Sequence, residues 1–527
     1  MEILNVKNLG FTYAGAASKA LNDVSFTVEK GDLVLMLGST GSGKSTLLRL
    51  LKREVAPQGT FEGRIFFDGK DFSEMTDHES ATRIGFVCQQ PEQQIVCDKV
   101  WHELAFGLEN LGCPSAEIRK RVSEMAAYFG IEEWFMRSTA ELSGGEKQLL
   151  NLASVMVMQP DIILLDEPTA QLDPIAASSF ITSITKLNRE FGTTVIVVEH
   201  RLEELLPEAA SLLALKAGSV RFFGSVEDVI RKMSDEPDLL PSMPASVRLF
   251  PSSCPLTVSD ARRLITDNYK NTTASLDVPE YTHSDSVALE FSHVYFRYEK
   301  NLPDVLSDLS LKVFESEIFC LLGGNGSGKT TLLSAAAGLV RPFDGNLKLF
   351  GKKLKDYKGQ ELRNSCVAYL PQDVQTMFLR NTVREELHGA ELSQFPFDLS
   401  HLMDHHPYDL SGGEQELLAL ALVLLQRPRI LLADEPTKGL DAVNKDRIAK
   451  IFKDLRSKGI TVVIVTHDTE FAAKTADRCA LLFRGELMSE GTPRDFFGSN
   501  AFYTTPASRM TRGIYKNAVT VDDVAEL

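Results

Sequence analysis

One stretch of this chain occurs twice, and the duplication constrains the fold more than any other feature. The first copy, Leu142–Asp173, reads LSGGEKQLLNLASVMVMQPDIILLDEPTAQLD, and the second, Leu410–Asp441, reads LSGGEQELLALALVLLQRPRILLADEPTKGLD. Each contains a glycine pair, an apolar helix pattern, a short apolar run that ends in Asp-Glu, and a turn. A chain of 527 residues is too long for one core, and length alone favours about three domains. The repeat assigns most of the chain to two copies of one fold.

The start of the repeated stretch predicts a helix N-terminus. Ser143 and Glu146 form Ser-x-x-Glu before an apolar run, which is typical of a capping box. Gly144 and Gly145 keep side chains away from the first free backbone N–H groups, so that helix end is also open to an anion. A plain cap and an anion contact are both compatible with this pattern.

The Asp-Glu pair predicts metal and water chemistry. It follows Ile162–Leu165, a fully apolar run typical of a parallel strand that is covered on both faces. Asp166 and Glu167 then stand at the carboxyl end of that strand, where open α/β sheets bind ligands. Asp434 and Glu435 repeat the arrangement, and in both copies the glutamate stands 24 residues after the serine of Ser-Gly-Gly-Glu.

Two glycine-rich segments predict nucleoside triphosphate binding. Residues 38–45 (GSTGSGKS) and 323–330 (GGNGSGKT) match Gly-x4-Gly-Lys-[Ser/Thr]. Each follows an apolar strand pattern, at 33–37 and 318–322, and precedes an apolar helix pattern, which is the context that this motif requires.

The residue types in these loops suit phosphate and magnesium. Glycines let backbone N–H groups curl round phosphate oxygens. Lys44 and Lys329 are expected to reach the β- and γ-phosphates, and the hydroxyls of Ser45 and Thr330 are offered to Mg²⁺.

The spacing of the motifs divides the chain. The two loop lysines are 285 residues apart and the two Asp-Glu pairs are 268 apart, so the middle of the second half is 17 residues shorter. We expect a first domain over residues 1–230, a connector over 231–287, a second domain over 288–497 and a C-terminal tail over 498–527. The proline-rich connector predicts one small helix, around 259–266, and the tail is expected to be loose.

Composition narrows the class of protein. The net charge of −16 disfavours a nucleic-acid partner, because such binding depends on Lys and Arg. No apolar run reaches about 18 residues and no signal-peptide pattern opens the chain, so we expect it to be neither secreted nor membrane-spanning by itself. Seven cysteines without Cys-x-x-Cys spacing indicate free thiols in a reducing cytosol.

Taken in order, the motifs resemble those of the ATP-binding cassette (ABC) ATPases, over nearly all the chain outside the connector and the tail. The resemblance implies an α/β fold with two tandem P-loop ABC ATPase domains, each a RecA-like core with a helical subdomain. It also implies an ATPase that uses ATP and Mg²⁺. Its catalytic residues would be Glu167 and Glu435, which polarise the attacking water, and His200 and His467, which sense the γ-phosphate.

The resemblance also implies the residues that contact the metal and the nucleotide. Mg²⁺ would be held by a hydroxyl, an aspartate and a glutamine in each half, the glutamine also relaying the state of the site to a partner: Ser45, Asp166 and Gln89, and Thr330, Asp434 and Gln372. ATP would contact an adenine-stacking tyrosine, the phosphate loop, the glutamine, the Ser-Gly-Gly signature and a bridging aspartate of each half: Tyr13, Gly38, Ser39, Thr40, Gly41, Ser42, Gly43, Lys44, Ser45, Thr46, Gln89, Ser143, Gly144, Gly145 and Asp173, and Tyr298, Gly323, Gly324, Asn325, Gly326, Ser327, Gly328, Lys329, Thr330, Thr331, Gln372, Ser411, Gly412, Gly413 and Asp441.

In the family that this chain resembles, the signature of one domain closes on the phosphate loop of the other. The resemblance therefore implies an intramolecular pair in which Lys44 meets Ser411 and Lys329 meets Ser143. Neither half lacks its Lys, Asp, Glu or His, so both sites are expected to hydrolyse ATP.

The signature helices depart from the family pattern. Leu149 stands where the family usually has Arg, and Glu416 and Leu417 replace Gln and Arg in the second copy. We interpret these differences as changes on the surface of the helix.

Four further segments resemble the ATPase (A) components of energy-coupling-factor transporters: 89–96 (QQPEQQIV), 103–112 (ELAFGLENLG), 199–201 (EHR) and 255–263 (PLTVSDARR). The resemblance implies two fused A components that power uptake of a vitamin, a vitamin precursor or a metal ion. They would work on the cytoplasmic face of the membrane with a transmembrane T component and a small substrate-binding membrane protein.

Two other classes share part of the pattern. Soluble twin-cassette translation factors of the ABC-F class, which act on ribosomes, also have two cassettes, but their linker is a long charged helical hairpin, unlike residues 231–287. A fused sugar-importer ATPase is the third possibility. Such proteins usually have one impaired site, and both motif sets here are complete.

Overall fold

The computed structural model describes residues 1–16, 18–236, 238–268, 274–276, 281–358, 361–362 and 366–525. The chain divides into two compact units, Met1–Thr257 and Val258–Leu527. The division lies inside the expected connector, whose two parts therefore belong to different units. Parts of that connector, including 269–273 and 277–280, lie outside the described residues.

The first unit contains an antiparallel sheet of order β2-β1-β4-β5 and a six-stranded sheet of order β10-β9-β3-β8-β7-β6. All strands of the larger sheet run parallel except β10. The strands are β1 (Glu2–Tyr13), β2 (Leu21–Glu29), β3 (Leu33–Leu37), β4 (Gly59–Phe67), β5 (Lys70–Asp71), β6 (Ile84–Val87), β7 (Ile162–Asp166), β8 (Thr194–Val198), β9 (Ser211–Lys216) and β10 (Ser219–Gly224).

Helices cover the larger sheet of this unit. They are α1 (Lys44–Leu50), α2 (Asp77–Arg83), α3 (Val100–Asn110), α4 (Ser115–Phe129), α5 (Gly144–Met156), α6 (Pro174–Phe191), α7 (Val226–Met233) and α8 (Ala245–Leu249). The first connector part packs on the core of this unit through Met243 and Val247.

The apolar strands alternate between two cores, as a pleated strand that is buried on both faces must. In β3, Leu33, Leu35 and Leu37 lie in one hydrophobic cluster, whereas Val34 and Met36 lie in the other. Burial on both faces accounts for the continuous apolar runs that the sequence shows before each chemical motif.

The second unit repeats this plan. Its sheets have the orders β13-β12-β15-β16 and β17-β18-β19-β14-β20-β21, with β21 the antiparallel member of the larger sheet, and a short parallel pair, β11-β22, is added. The strands are β11 (Ala274–Ser275), β12 (Val287–Phe296), β13 (Leu306–Phe314), β14 (Ile318–Leu322), β15 (Asp344–Leu349), β16 (Lys352–Lys353), β17 (Val367–Leu370), β18 (Ile430–Asp434), β19 (Thr461–Val465), β20 (Arg478–Phe483), β21 (Glu486–Gly491) and β22 (Tyr515–Lys516).

The helices show where the second unit is shorter. Between the sheet and the signature, the first unit has α3 and α4, whereas the second has the four-residue α11 and several 3-10 turns, at Leu392–Gln394, Ser400–Leu402 and Pro407–Asp409. The helices of this unit are α9 (Val258–Asn268), α10 (Lys329–Ala336), α11 (Val383–Glu386), α12 (Gly412–Leu424), α13 (Ala442–Ser457), α14 (Thr469–Thr475), α15 (Pro493–Ser499), α16 (Pro506–Thr511) and α17 (Val521–Ala525).

The C-terminal segment differs from the loose tail expected for it. Helices α16 and α17 form within it, α16 packs against the connector helix α9, and β22 pairs with β11. Ala507 and Met510 are buried there. The short helices carry too few turns for a clear periodic pattern, which explains why the sequence did not reveal them.

Within the ranges that the structure describes, no helix is both long enough and apolar enough to span a bilayer.

Candidate functional site

The topology of the larger sheet gathers the predicted residues of each unit at one edge. In the first unit β3, β8 and β7 are neighbours. The phosphate loop follows β3, Asp166 ends β7 and His200 follows β8. Because parallel strands present their carboxyl ends at the same edge, these three motifs meet although they are far apart in the sequence.

The first phosphate loop needs glycine at positions where a side chain would clash or would strain the backbone. Gly38 has φ +151°, and a Cβ added there would lie 2.4 Å from the Leu215 carbonyl oxygen. Gly43 has φ +97°, a backbone conformation that glycine adopts readily. The Lys44 ammonium donates to the carbonyls of Gly38 and Ser39, at 2.8 and 3.0 Å, so the loop is wound round its lysine.

A hydroxyl and a carboxylate suitable for magnesium meet beside this loop. Ser45 Oγ donates to Asp166 Oδ1 at 2.8 Å. Burial raises the pKa of Asp166 to about 6, and the neighbouring Glu167 adds to the rise. A buried carboxylate and a hydroxyl supply hard oxygen ligands, so these residues fit Mg²⁺.

Glu167 is held through both carboxylate oxygens. Gln89 Nε2 donates to Oε2 at 2.9 Å, and His200 Nε2 lies 3.0 Å from Oε1. Glu167 has φ +45°, a backbone conformation that is uncommon for residues other than glycine. Where it occurs, it is often at a functional site. The three predicted residues therefore form one contact group.

The second unit places Lys329, Glu435 and His467 in the same way. Lys329 Nζ donates to Gly323 and Gly324 carbonyls at 2.8 and 3.0 Å. Glu435 has φ +52°, and His467 Nδ1 lies 2.9 Å from its Oε2. The histidine of the second unit thus contacts its glutamate through Nδ1, whereas that of the first unit does so through Nε2.

The aspartate of the second unit has an additional partner. Tyr369 donates its hydroxyl to Asp434 Oδ2 at 3.2 Å. Burial raises the pKa of this carboxylate, and an interaction with the Thr330 hydroxyl opposes the rise. Within the described residues, Asp434 Oδ1 is buried without a hydrogen-bond partner, so this oxygen is available as a cation ligand. Thr330 is exposed at the start of α10. Gln372 is also exposed, and within the described residues it makes no hydrogen bond to Glu435.

The two tyrosines expected to stack on adenine stand beside their loops. The Tyr13 and Tyr298 hydroxyls lie 2.8 and 3.0 Å from Oγ1 of Thr46 and Thr331. The tyrosines are 38% and 61% exposed, so each ring has a face open to a base.

The signature residues are helix N-caps, as predicted. Ser143 and Glu146 form a capping box at α5, and Ser411 and Glu414 form another at α12. A Cβ added to Gly144 meets nothing within 4 Å, so the helix end is open. Two of the predicted residues cap the following helices, Asp173 at α6 and Asp441 at α13.

The interpretation of Leu149, Glu416 and Leu417 as surface changes is wrong. Leu149 is half-buried, Glu416 and Leu417 are buried, and so is Gln148, the residue that matches Glu416. Gln148 Nε2 donates to the Cys88 carbonyl at 3.1 Å. In the described part of the chain Glu416 Oε1 has no hydrogen-bond partner, and burial raises the pKa of Glu416 to about 8.

Glu199 belongs to the site although it was not predicted to. Its carboxylate accepts the backbone N–H groups of Thr169 and His200 at 2.8 and 3.0 Å, and it thereby ties the turn after β7 to the start of the histidine loop. Burial raises its pKa. A carboxylate directly after the apolar run of β8 was the available signal.

Comparison with known proteins identifies the family. The model of the ABC transporter family matches residues 21–170 and 306–438. The chain belongs to the ABC transporter family. As an ABC ATPase it has two fused cassettes, and members of this family bind and hydrolyse ATP.

Relatives match this ABC ATPase along its whole length. It is 40% identical to a protein of Bacillus anthracis, provisionally named an ABC transporter ATP-binding protein, over 99% of this chain and 97% of that one. It is 31% identical to the provisionally named HMP/thiamine import ATP-binding protein YkoD of Bacillus subtilis, over 94% and 92%. The solved structure of cbiO1 from Clostridium perfringens, part of the ABC transporter complex cbiONQ, covers 45% of this chain and 96% of its own, with 31% identity and a TM-score of 0.40.

Proposed function

We propose that this chain is the ATP-hydrolysing subunit of an energy-coupling-factor type importer, with both halves active. The observation that carries the catalytic part is the same in each unit: a glutamate at the carboxyl edge of the sheet is held by a histidine, beside a phosphate loop. These pairs are Glu167 with His200 and Glu435 with His467. The importer part is supported by the resemblance of segments 89–96 and 103–112, and by the likeness to the HMP/thiamine import protein.

Each side chain has a role in phosphoryl transfer to water. The loop lysine would bind the β- and γ-phosphates, and the glutamate would polarise the attacking water while the histidine contacts the γ-phosphate. Bound Mg²⁺ would neutralise phosphate charge, held by Ser45 and Asp166 in the first unit and by Thr330 and Asp434 in the second. Gln89 and Gln372 would complete the metal ligands.

Coupling to transport would come from closure of the two halves. ATP would join the signature of each half to the phosphate loop of the other, and hydrolysis would let them reopen. A transmembrane T component would take up this motion, and a small membrane protein would bind the vitamin, vitamin precursor or metal ion. The chain would work as a peripheral protein on the cytoplasmic face of the membrane.

The test is to identify which proteins copurify with the full chain from detergent-solubilised membranes. We expect a T component and a small substrate-binding membrane protein to copurify with it. A chain that sediments with ribosomes and captures no membrane protein would overturn the importer proposal and favour a translation factor. In the described part of the inter-cassette region, the helices α8 and α9 have only 5 and 11 residues, and a long helical hairpin is the hallmark of that alternative.

A further inference from the structure

The C-terminal segment carries a tyrosine to the phosphate loop of the second unit. The backbone N–H of Gly323, the first residue of that loop, donates to the hydroxyl oxygen of Tyr503 at 3.1 Å. Gly323 is buried, and a Cβ added to it would lie 2.4 Å from the Leu482 carbonyl oxygen. A side chain at Gly323 would therefore clash with β20. The Tyr503 hydroxyl is the acceptor for the buried N–H of Gly323.

The surroundings of Tyr503 keep its hydroxyl in the protonated form. Its ring packs against the core of the second unit. Burial raises the pKa of Tyr503 to about 12, and the negative charge of Glu435 adds to the rise. The hydroxyl thus contacts the phosphate loop and is within the electrostatic influence of the glutamate.

The first unit has no counterpart of this tyrosine at the matching position. The sequence Pro-Ala-Ser occurs at the starts of both α8 and α16, at 244–246 and 506–508, and the residue three positions before it is Pro241 in one unit and Tyr503 in the other. Proline has no side-chain hydroxyl that could accept a hydrogen bond. The contact between segment and loop therefore distinguishes the second unit.

The connector helps to hold the segment in place. Helix α16 follows Tyr503 directly and packs against the connector helix α9. Arg262 of α9 donates to the Arg512 carbonyl at 3.2 Å, and β11 pairs with β22. Thr504 and Thr505 are buried between the tyrosine and α16. The position of the hydroxyl depends on this packing.

We propose that Tyr503 is a positioning residue of the second ATP site, so that the C-terminal segment forms part of that site and not of the first. The inference rests on the proposed ATP sites. Without the hydroxyl, the buried Gly323 N–H loses its acceptor, and the loop loses a constraint that prepares it for phosphate. One neutral hydrogen bond of this kind corresponds to about fivefold in affinity.

The experiment measures binding of a non-hydrolysable ATP analogue with Mg²⁺ to the full chain by calorimetry. In the Lys44→Ala chain, only the second site is expected to bind the analogue, so the measured affinity is that of the second site. In the Lys329→Ala chain, the measured affinity is that of the first site. Tyr503→Phe, which keeps the ring, is expected to weaken binding about fivefold in the Lys44→Ala chain and to leave it unchanged in the Lys329→Ala chain. Phe502→Ala, at a 91% exposed neighbour, is the matched control and should change neither.

The outcomes separate this inference from the proposed ATP sites. If the chain carrying both lysine substitutions binds the analogue as the wild type does, the proposed sites are wrong. If each lysine substitution removes one site but Tyr503→Phe leaves second-site affinity unchanged, or weakens both sites equally, the role of Tyr503 is overturned. Thermal unfolding of each variant shows whether it is folded, and a lower melting temperature with intact second-site affinity counts against the proposal.

Discussion

At the scale of single residues, one glutamate in each half has a costly backbone conformation. Glu167 and Glu435 have φ of 45° and 52°, and a left-handed conformation outside glycine costs on the order of 1–3 kcal/mol. The cost appears at the same motif position in both halves, where the turn directs each carboxylate to its histidine. The same paired recurrence at Asn8 and His293 shows that positive φ is a repeated feature of this fold, so the role of each glutamate needs a test by substitution.

The change Glu167→Gln together with Glu435→Gln tests that role. Glutamine keeps the size and the hydrogen bonding but not the negative charge, so we expect ATP turnover to fall by about 10²–10⁴-fold while ATP binding persists. Phosphate release measures the first quantity and equilibrium binding the second. Glu124→Gln, on the exposed side of α4, is the control. Wild-type turnover in the double variant would refute the assignment.

At the scale of elements, the two signature helices are alike in their caps and different in their buried faces. Gln148 in α5 donates a hydrogen bond to the Cys88 carbonyl. Glu416 in α12 occupies the matching position, and among the described residues its Oε1 has no hydrogen-bond partner, as Gln148 Oε1 also has none. The second helix thus contains an acid where the first contains an amide, and its contribution to stability should depend on pH.

Glu416→Gln tests this difference through stability. Folding raises the pKa of Glu416 from 4.5 to about 8, so the folded chain binds this proton more tightly than the unfolded chain. The resulting stabilisation is fully present below pH 4.5 and is lost as pH rises through about 8. We expect the variant to have a free energy of unfolding about 3–5 kcal/mol higher than the wild type at pH 8.5, because each pKa unit corresponds to about 1.4 kcal/mol. At pH 4.5 or below, where the glutamate is protonated in both states, the two should be nearly equal.

Urea unfolding at the two pH values measures the effect. The reverse substitution in the first unit, Gln148→Glu, is the matched variant and should destabilise the protein more at high pH than at low pH. A Glu416→Gln difference that is the same at both pH values would show that the carboxyl does not titrate in this range.

At the scale of the whole molecule, duplication gives each unit a set of the predicted site residues, but the elements around the two sets differ. The first unit has α3 and α4 before its signature, where the second has α11 and 3-10 turns. The second has the C-terminal segment on its phosphate loop. The two proposed sites, with matching residues, therefore have different surroundings.

Arginine substitutions in the signatures test whether the halves exchange them. In the Glu167→Gln chain, remaining turnover belongs to the site of Glu435 and Lys329. If that site takes the signature of the other half, Ser143→Arg should reduce turnover more than tenfold. The bulky arginine would replace the small hydroxyl proposed to contact the phosphate, and loss of one group that stabilises transition-state charge has an effect of at least this size. Ser411→Arg is the matched variant, since both serines cap a helix and that loss costs about 1 kcal/mol in either case. A larger effect of Ser411→Arg would mean that each half uses its own signature.

The sequence by itself determined the parts of this protein that depend on local chemistry. The strands before the loops, Leu33–Leu37 and Ile318–Leu322, have the predicted bounds, because burial on both faces demands an unbroken apolar run. The capping boxes followed from residues three positions apart. The Asp-Glu pair was placed at the ligand-binding edge because it ends such a strand.

The tertiary structure alone decided which distant residues share a site and which are buried. Gly323 and Tyr503 are 180 residues apart, and no motif marks the tyrosine, since its role comes only from the packing of α16 on α9. Glu416 looks like a surface residue in a helical pattern, and only the packing of α12 in the folded unit makes it a buried acid. Such contacts are set by long-range packing, which spacing along a chain does not encode.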